Sequence, residues 1–460
     1  VKWRWFILFI GVFFSLDAEP GEALIVPPLY EGRLGSDGVR EYTVTAAEGE
    51  LEFFSGISVP TMGYDGDYLG PTLHLRQGER VSIRVRNRLR EATTVHWHGV
   101  YLPAEADGGP RQPIGPGETW IAEFTVKQPA ASLWYHPHRM GTTAEQVYRG
   151  LAGVMIISDP SGSADLPAEY GVDDIPLVLQ ERRFGRDGSF RYEPRMPDII
   201  HGYGGNVLLT NGGIEPVFQA ETRLLRLRLL NGSNSSILRL NLPEGPEFIQ
   251  IASDGGLLSE PVRMKNLVLS PGERAEVILD LREQQGRDVS LQAESSLGAV
   301  YTALLIRSGE KLRDNGKLPS RLASLPAPDI PRAAGRRTFV MSTMGSGGSL
   351  TINGRRMDLN RVDERVPAGA AEVWELSVAG MMMNTPHNFH VHGLQFRIID
   401  INGTPPPPGL SGFKDTVLLW PGDRVRLLME FGEYPGIYMY HCHLLEHEDA
   451  GMMGQYEVLD

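Results

Sequence analysis

The sequence predicts an all-β protein built from sandwich- or barrel-like units, and three observations carry that prediction. Short runs in which charged and apolar residues alternate recur every ten residues or so along the chain. Gly and Pro, at 53 and 33, are numerous enough to close a turn after each run. Sustained helical periodicity is scarce. Alternation with a period of two marks an antiparallel strand with one buried face, and regular spacing of such strands marks a sandwich or barrel.

Residues 79–86, 120–126 and 154–157 are expected as strands, and residues 144–150 as a short helix. A stretch rich in Ser, Gly, Asp and Pro near 158–174 interrupts the pattern, which restarts at 175–179 and runs to 301–306. Residues 308–335 are polar and Pro-rich and read as a linker. A third unit begins near 336. Pro116-Gly117-Glu118, Pro271-Gly272-Glu273 and Pro421-Gly422-Asp423 each precede an alternating run, one turn per unit, as internal triplication would give. The expected division is a signal segment over 1–18 and units over 19–159, 160–310 and 336–460, each long enough to bury its own core.

Composition narrows the class. With 41% hydrophobic and 22% charged residues the chain resembles an ordinary soluble protein. A net charge of −13 argues against nucleic acid or an anionic membrane as partner and mildly favours cationic substrates. Residues 1–18 carry Lys2 and Arg4, then an apolar run from Trp5 to Phe14, then Ala18. That is the pattern of a secretory signal, shorter than the ~20 apolar residues that span a bilayer. A periplasmic or secreted protein is expected, free of the membrane after cleavage and monomeric; an uncleaved anchor is the alternative.

Cys442 is the chain's one cysteine, so no internal disulfide forms. It sits in His441-Cys442-His443. Three more His-x-His doublets occur, His96/His98, His136/His138 and His390/His392, so eight of twelve histidines lie in doublets. On a strand, alternate side chains share a face. Each doublet therefore aims two imidazoles one way, and Cys442 must point opposite to its neighbours. Such a triplet serves one metal site through the thiolate and another through the imidazoles, the layout of an electron-transfer oxidase. Copper suits this chemistry, because a His₂Cys set with a weak axial Met defines a blue site. Cys442, His447 and Met452 supply most of it, with Met453 an alternative axial group and His387 available as the second imidazole.

Four segments together resemble the copper-binding motifs of multicopper oxidases, the family of laccases and bacterial cuprous oxidases. They are Thr94-Val95-His96-Trp97-His98-Gly99, Trp134-Tyr135-His136-Pro137-His138, the stretch from His387 to Gly393, and the stretch from His441 to Met453. The similarity covers nearly the whole chain and looks closest to three-domain periplasmic copper-resistance oxidases. It implies three cupredoxin-like Greek-key β-sandwich domains and four coppers. His387, Cys442, His447 and Met452 would hold the type 1 copper. His96 and His390 would hold the type 2 copper. His98, His136, His138, His392, His441 and His443 would hold the type 3 pair. The second unit supplies no ligand and is expected to act as a spacer. Glu448 and Asp107 match positions the family uses to relay protons, with the orientation of ligand imidazoles as their alternative role.

The implied activity is oxidation of phenols, aromatic amines or metal ions such as Cu(I), coupled to reduction of O₂ to water. A copper-sequestering protein and a degenerate member with a structural role are the alternatives. His74 and His201 fall outside the motifs and are expected to be structural or surface residues. The Met- and His-rich insertion of related cuprous oxidases is missing: residues 308–356 hold Met341 and Met344 and no histidine. An open type 1 edge near His447 is therefore expected, admitting bulky phenols. Met381, Met382 and Met383 are candidate soft ligands for Cu(I), or core packing.

Overall fold

The computed structural model describes residues 21–159, 166–343, 350–379 and 385–460. The expected signal segment, Met344 and the run Met381, Met382 and Met383 lie outside the described residues.

Among the described residues the alternating runs become strands, which form six sheets in three facing pairs, an all-β, multi-domain cupredoxin fold. In the first pair, Thr72–Arg76, Gly153–Ser158, Ala131–His136 and His96–His98 lie side by side, facing a sheet built on Val39–Phe54, Arg80–Asn87 and Thr119–Thr125. In the second, a sheet centred on Asp174–Arg182, Leu224–Asn231 and Arg274–Asp280 faces one centred on Val300–Arg313 and Asp288–Ser295. In the third, Gly335–Ser342, Ala371–Ala379 and Arg424–Glu430 face Met453–Leu459, Gly436–His441 and His387–Val391. Each pair closes over its own apolar core.

The sheets are not purely antiparallel as alternation alone suggested. Val39–Phe54 runs parallel to Arg80–Asn87, Asp174–Arg182 to Leu224–Asn231, and Gly335–Ser342 to Ala371–Ala379. Chain crossing between facing sheets lays strands distant in sequence side by side in the same direction, and alternation is blind to direction. The three Pro-Gly turns occupy equivalent places. Gly117, Gly272 and Gly422 all take positive φ, 77°, 82° and 91°, which glycine adopts without strain. Each leads into a strand antiparallel to the middle of its sheet.

Two chain segments cross between units. Leu24 packs in the second unit's core, and its N–H donates to the Val217 carbonyl at 2.8 Å. The strand Val300–Arg313 runs into the expected linker, and Leu322 beyond it packs on Ile249 and Ile251 of the second unit. Three short helices bring the units together: α1 (Thr143–Tyr148), α2 (Met196–His201) and α3 (Leu445–Asp449), with α3 packed against both of the others. The Asp449 carboxylate accepts the N–H groups of Gly141, Thr143 and Ala144 at 2.9, 3.1 and 2.8 Å. It caps α1 across the junction of the first and third units.

Candidate metal centre

The histidine doublets lie at strand ends facing one another across that junction. His96 stands opposite His136 on paired strands of the first unit, and His390 opposite His441 in the third. Pro137 has no N–H to continue a ladder, so its strand stops at His136. His138 is then fixed by its own N–H donating to Thr94 Oγ1 at 2.6 Å. The doublets of the two units interleave. His96 stacks on His392 with ring centroids 3.8 Å apart, and His98 on His390 at 3.7 Å. All eight imidazoles are buried.

Most of these rings turn one nitrogen outward to a fixed acceptor, which sets the tautomer and aims the other nitrogen inward. The Nδ1–H of His96 donates to the Asp107 carbonyl at 2.9 Å, and that of His390 to the Asp415 carbonyl at 2.9 Å. His136 and His441 donate from Nδ1 to the carbonyls of Pro137 and Cys442 at 2.7 and 3.1 Å. His392 Nδ1–H donates to Asp107 Oδ2 at 2.8 Å. His98 is reversed: its Nε2–H donates to Asp415 Oδ1 at 3.0 Å, and its Nδ1 lies 3.3 Å from His136 Nε2.

Inward atoms gather in sets able to share an ion: His98, His136 and His443; His138, His392 and His441; and His96 and His390 together with His98. His138 Nε2 and His392 Nε2 lie 3.0 and 3.1 Å from His441 Nε2. His96 Nε2, His390 Nε2 and both nitrogens of His443 are buried without a hydrogen-bond partner among the described residues. Orphaned buried nitrogens cost about 1–3 kcal/mol each. A cation accepting their lone pairs removes that cost. Burial and neighbouring rings depress the imidazole pKa values, to about 3 for His443 and about 4 for His392, so both rings are neutral and able to bind metal at pH 7.

The second set lies on the far side of the His441–His443 backbone. Cys442 Sγ is 3.6 Å from His387 Nδ1 and 3.4 Å from His447 Nδ1, and these two nitrogens are 3.1 Å apart. The thiol is fully buried, and burial pushes its pKa up to about 12, so a thiolate needs a cation beside it. Met452 shares the apolar core with Cys442, whose N–H donates to the Met452 carbonyl at 3.0 Å. Met453 instead stands opposite His441 and packs with Met357 and Met439. Imidazole with thiolate and thioether in one set, and imidazole alone in the other, fit copper.

The two acids differ. Asp107 accepts from His392, and its Oδ1 lies 3.4 Å from His96 Nδ1. Burial works to raise its pKa, but these imidazoles outweigh burial and hold it below the usual carboxylate range. Glu448 is fully buried, with Oε1 3.3 Å from His138 Nδ1 and Oε2 3.4 Å from His441 Nδ1. Burial raises its pKa well above the ordinary value.

Several contributors were not singled out from sequence. Arg274 clasps Asp415 through Nη1–Oδ1 at 2.7 Å and Nη2–Oδ2 at 2.6 Å, and Asp415 in turn orients His98. Asn388 accepts the His443 N–H at 2.7 Å and donates to the Pro271 carbonyl at 2.7 Å. The second unit is therefore more than a spacer, because Arg274 and Pro271 brace the imidazole cage. A charged pair inside an otherwise apolar run, as at Lys414-Asp415, was the available signal. Arg274→Met is expected to cost about 3–5 kcal/mol, since it strands the buried Asp415 carboxylate. Denaturant unfolding measures this, and a loss under ~1 kcal/mol would show that the pair does not brace the cage.

The expected open edge at His447 is also corrected. His447 is fully buried, and its Nε2–H donates to the Ile200 carbonyl on α2 at 3.3 Å. The residue that caps it belongs to the second unit. His201, on the same helix, is exposed, and its Nδ1 lies 3.3 Å from Thr385 Oγ1. His74 is partly buried between Glu31 Oε1 at 3.1 Å and Ser158 Oγ at 3.0 Å, a structural role.

Paired β-sandwiches enclosing a cage of imidazoles joined to a cysteine set define a cupredoxin-type metalloprotein. Family profiles for multicopper oxidases match residues 45–162 and 328–460. The multicopper oxidase mco of Staphylococcus epidermidis is 37% identical over 446 residues, 96% of this chain and 94% of that protein. The cell division protein FtsP of Edwardsiella tarda is 34% identical over 468 residues, 97% of this chain and 94% of its own. A solved structure of the laccase-like multicopper oxidase CueO from Ochrobactrum sp. superposes with a TM-score of 0.85 at 37% identity, covering 95% of this chain and 100% of that one. The chain belongs to the multicopper oxidase family. Membership implies copper as cofactor, with O₂ and a reductant as reactants.

Proposed function

We propose that the chain is a laccase-like oxidase that takes single electrons from phenols, aromatic amines or metal ions such as Cu(I). The observation that carries this reading is the His441-Cys442-His443 backbone, which joins the thiolate set to two imidazole sets through adjacent residues. In this reading four coppers bind. His387, Cys442, His447 and Met452 would hold one of type 1, and His96 with His390 one of type 2. His98, His136 and His443, and His138, His392 and His441, hold the type 3 pair. Bound copper supplies one-electron acceptance at the first set and O₂ reduction at the cage.

The chain's own residues do the rest. Trp134, buried, walls the cage, its ring stacked 4.0 Å from that of His136 and lying 5.2 Å from that of His98. Asp107 and Asp415 fix ring tautomers, and Glu448 holds a proton at Oε1 or Oε2 beside the cage. The balance is four one-electron oxidations against O₂ and four protons, giving two waters. A phenol gives up a proton with each electron, whereas Cu(I) gives only the electron. The solved Ochrobactrum relative is described as acting on lignin model compounds, which supports phenolic substrates. The N-terminal signal-like segment supports export, and no helix among the described residues is long and apolar enough to cross a membrane.

Similarity to a cell division protein keeps a structural role as the second reading. The orphaned nitrogens of His96, His390 and His443 weigh against it, because a scaffold gains nothing from buried groups that cost stability unless metal is bound. Copper analysis on the reconstituted chain decides, together with O₂ uptake. Four coppers, an intense blue band and O₂ uptake with a phenol or Cu(I) are expected. Copper binding without O₂ uptake would favour sequestration, and no copper would favour the structural role.

A further inference from the structure

The outer edge of His447 is where a reductant would meet the thiolate set, and α2 lies across it. The Ile200 carbonyl takes the Nε2–H of His447 at 3.3 Å. That bond also fixes the tautomer that leaves Nδ1 facing Cys442. Ile199 packs against the core that contains Cys442 and Met452. A group that excludes solvent from a ring nitrogen, while satisfying it with a backbone carbonyl, also excludes any substrate seeking the same atom.

The cover is lightly built. None of the six residues of α2 is buried, and Met196 is 66% exposed. A helix this short is not stable by itself. Its ties are specific. Asp198 Oδ2 accepts the Arg195 N–H at 3.0 Å, and Asp198 Oδ1 accepts from Arg183 Nη2 at 3.0 Å. His201 Nδ1 lies 3.3 Å from Thr385 Oγ1 of the third unit. Gly202 follows at φ 100°, a conformation that glycine adopts without strain and that ends the helix. Segments with few buried contacts and exposed hydrogen bonds open at low free-energy cost. Ile199 and Ile200 are only half-buried, and Met196 faces solvent.

We propose that α2 is a specificity-determining cover over His447. Closed, it favours compact one-electron reductants, metal ions among them, that deliver an electron across the Ile200 backbone. Bulky phenols contact His447 only when α2 moves aside. The proposal rests on the reading of His447 as a ligand of the electron-accepting set.

The test uses the full chain and two variants: Asp198→Ala combined with His201→Ala, which cuts all three of these hydrogen bonds, and replacement of residues 195–201 by Gly-Ser-Gly. Carbethoxylation of His447 by diethyl pyrocarbonate, mapped on the metal-free proteins, reads access to Nε2. On the copper-loaded proteins, kcat/KM is measured for a dimethoxyphenol and for hexacyanoferrate(II), with copper content and the blue band as controls. The expected result is faster labelling of His447 in both variants. The phenol kcat/KM should rise on the order of tenfold in both variants, mainly through KM, while hexacyanoferrate changes by less than about twofold in the double-substitution variant, which keeps the Ile200 backbone. Unchanged labelling in the replacement variant overturns the cover. Faster labelling with an unchanged phenol constant overturns its role in specificity. A wild-type chain that consumes no O₂ with either reductant overturns the oxidase reading and the proposal with it, an outcome distinct from both.

Discussion

Cys442→Ser is expected to abolish both the blue band and turnover, the largest effect of any single substitution in this chain. The intense colour of such sites comes from the thiolate–copper bond, and an alcohol oxygen neither ionises at neutral pH nor offers the soft donor copper prefers. Serine removes one of three donor atoms that lie within 3.6 Å of one another and leaves His387 and His447 to bind weakly by themselves. The eight cage imidazoles are untouched, so up to three coppers per chain should remain. Serine is nearly isosteric with cysteine, and burying its hydroxyl where Cys442 is fully enclosed costs about 1–3 kcal/mol, so the fold should survive. Absorption, copper analysis and O₂ uptake on the folded variant check the prediction. A variant that keeps the blue band would show that Cys442 is not the ligand.

Side chains able to hold a metal could be read before the fold was known, and residues that act through tertiary pairing could not. The histidine doublets carry their geometry locally, because strand alternation places both rings on one face wherever the strand goes. The doublets gather as that reading requires, and the all-β fold follows the alternation. Parallel pairing escaped, since alternation carries no direction. Arg274 and Asp415 escaped because each is an ordinary charge until strands 141 residues apart bring them together. α2 escaped for a stronger reason. Its contact with His447 is made by a carbonyl oxygen, which every residue has, so no side-chain pattern marks it. Inferring an open edge from a missing methionine-rich insertion failed because the Ile200 carbonyl caps His447 Nε2. Met452 and Met453 part company in the fold, Met452 joining the core that holds Cys442 and Met453 packing with Met357 and Met439.

Glu448→Gln is expected to slow O₂ reduction on the order of 10²-fold, the usual effect of losing a positioned acid, while leaving the thiolate set reducible. The argument is geometric. Glu448 puts one carboxylate oxygen 3.3 Å from His138 Nδ1 and the other 3.4 Å from His441 Nδ1. Those two rings bring their Nε2 atoms to within 3.0 Å of each other on the cage side. Both oxygens are buried without a hydrogen-bond partner among the described residues, so the group is free to hold a proton and release it toward the cage. Glutamine keeps the shape and polarity and loses the exchangeable acid. Asp107→Asn should slow turnover to a similar order by another route. Asp107 accepts the His392 Nδ1–H at 2.8 Å, and an amide that turns its NH₂ toward that ring disturbs the tautomer and with it copper retention. The two variants therefore separate in measurement. Under anaerobic reductant the blue band should bleach at the normal rate in both. Copper content should be full in Glu448→Gln and reduced in Asp107→Asn. The solvent isotope effect on turnover should rise in Glu448→Gln. Normal turnover at full copper content in both variants would leave Glu448 and Asp107 as bystanders and send the search for the proton donor elsewhere.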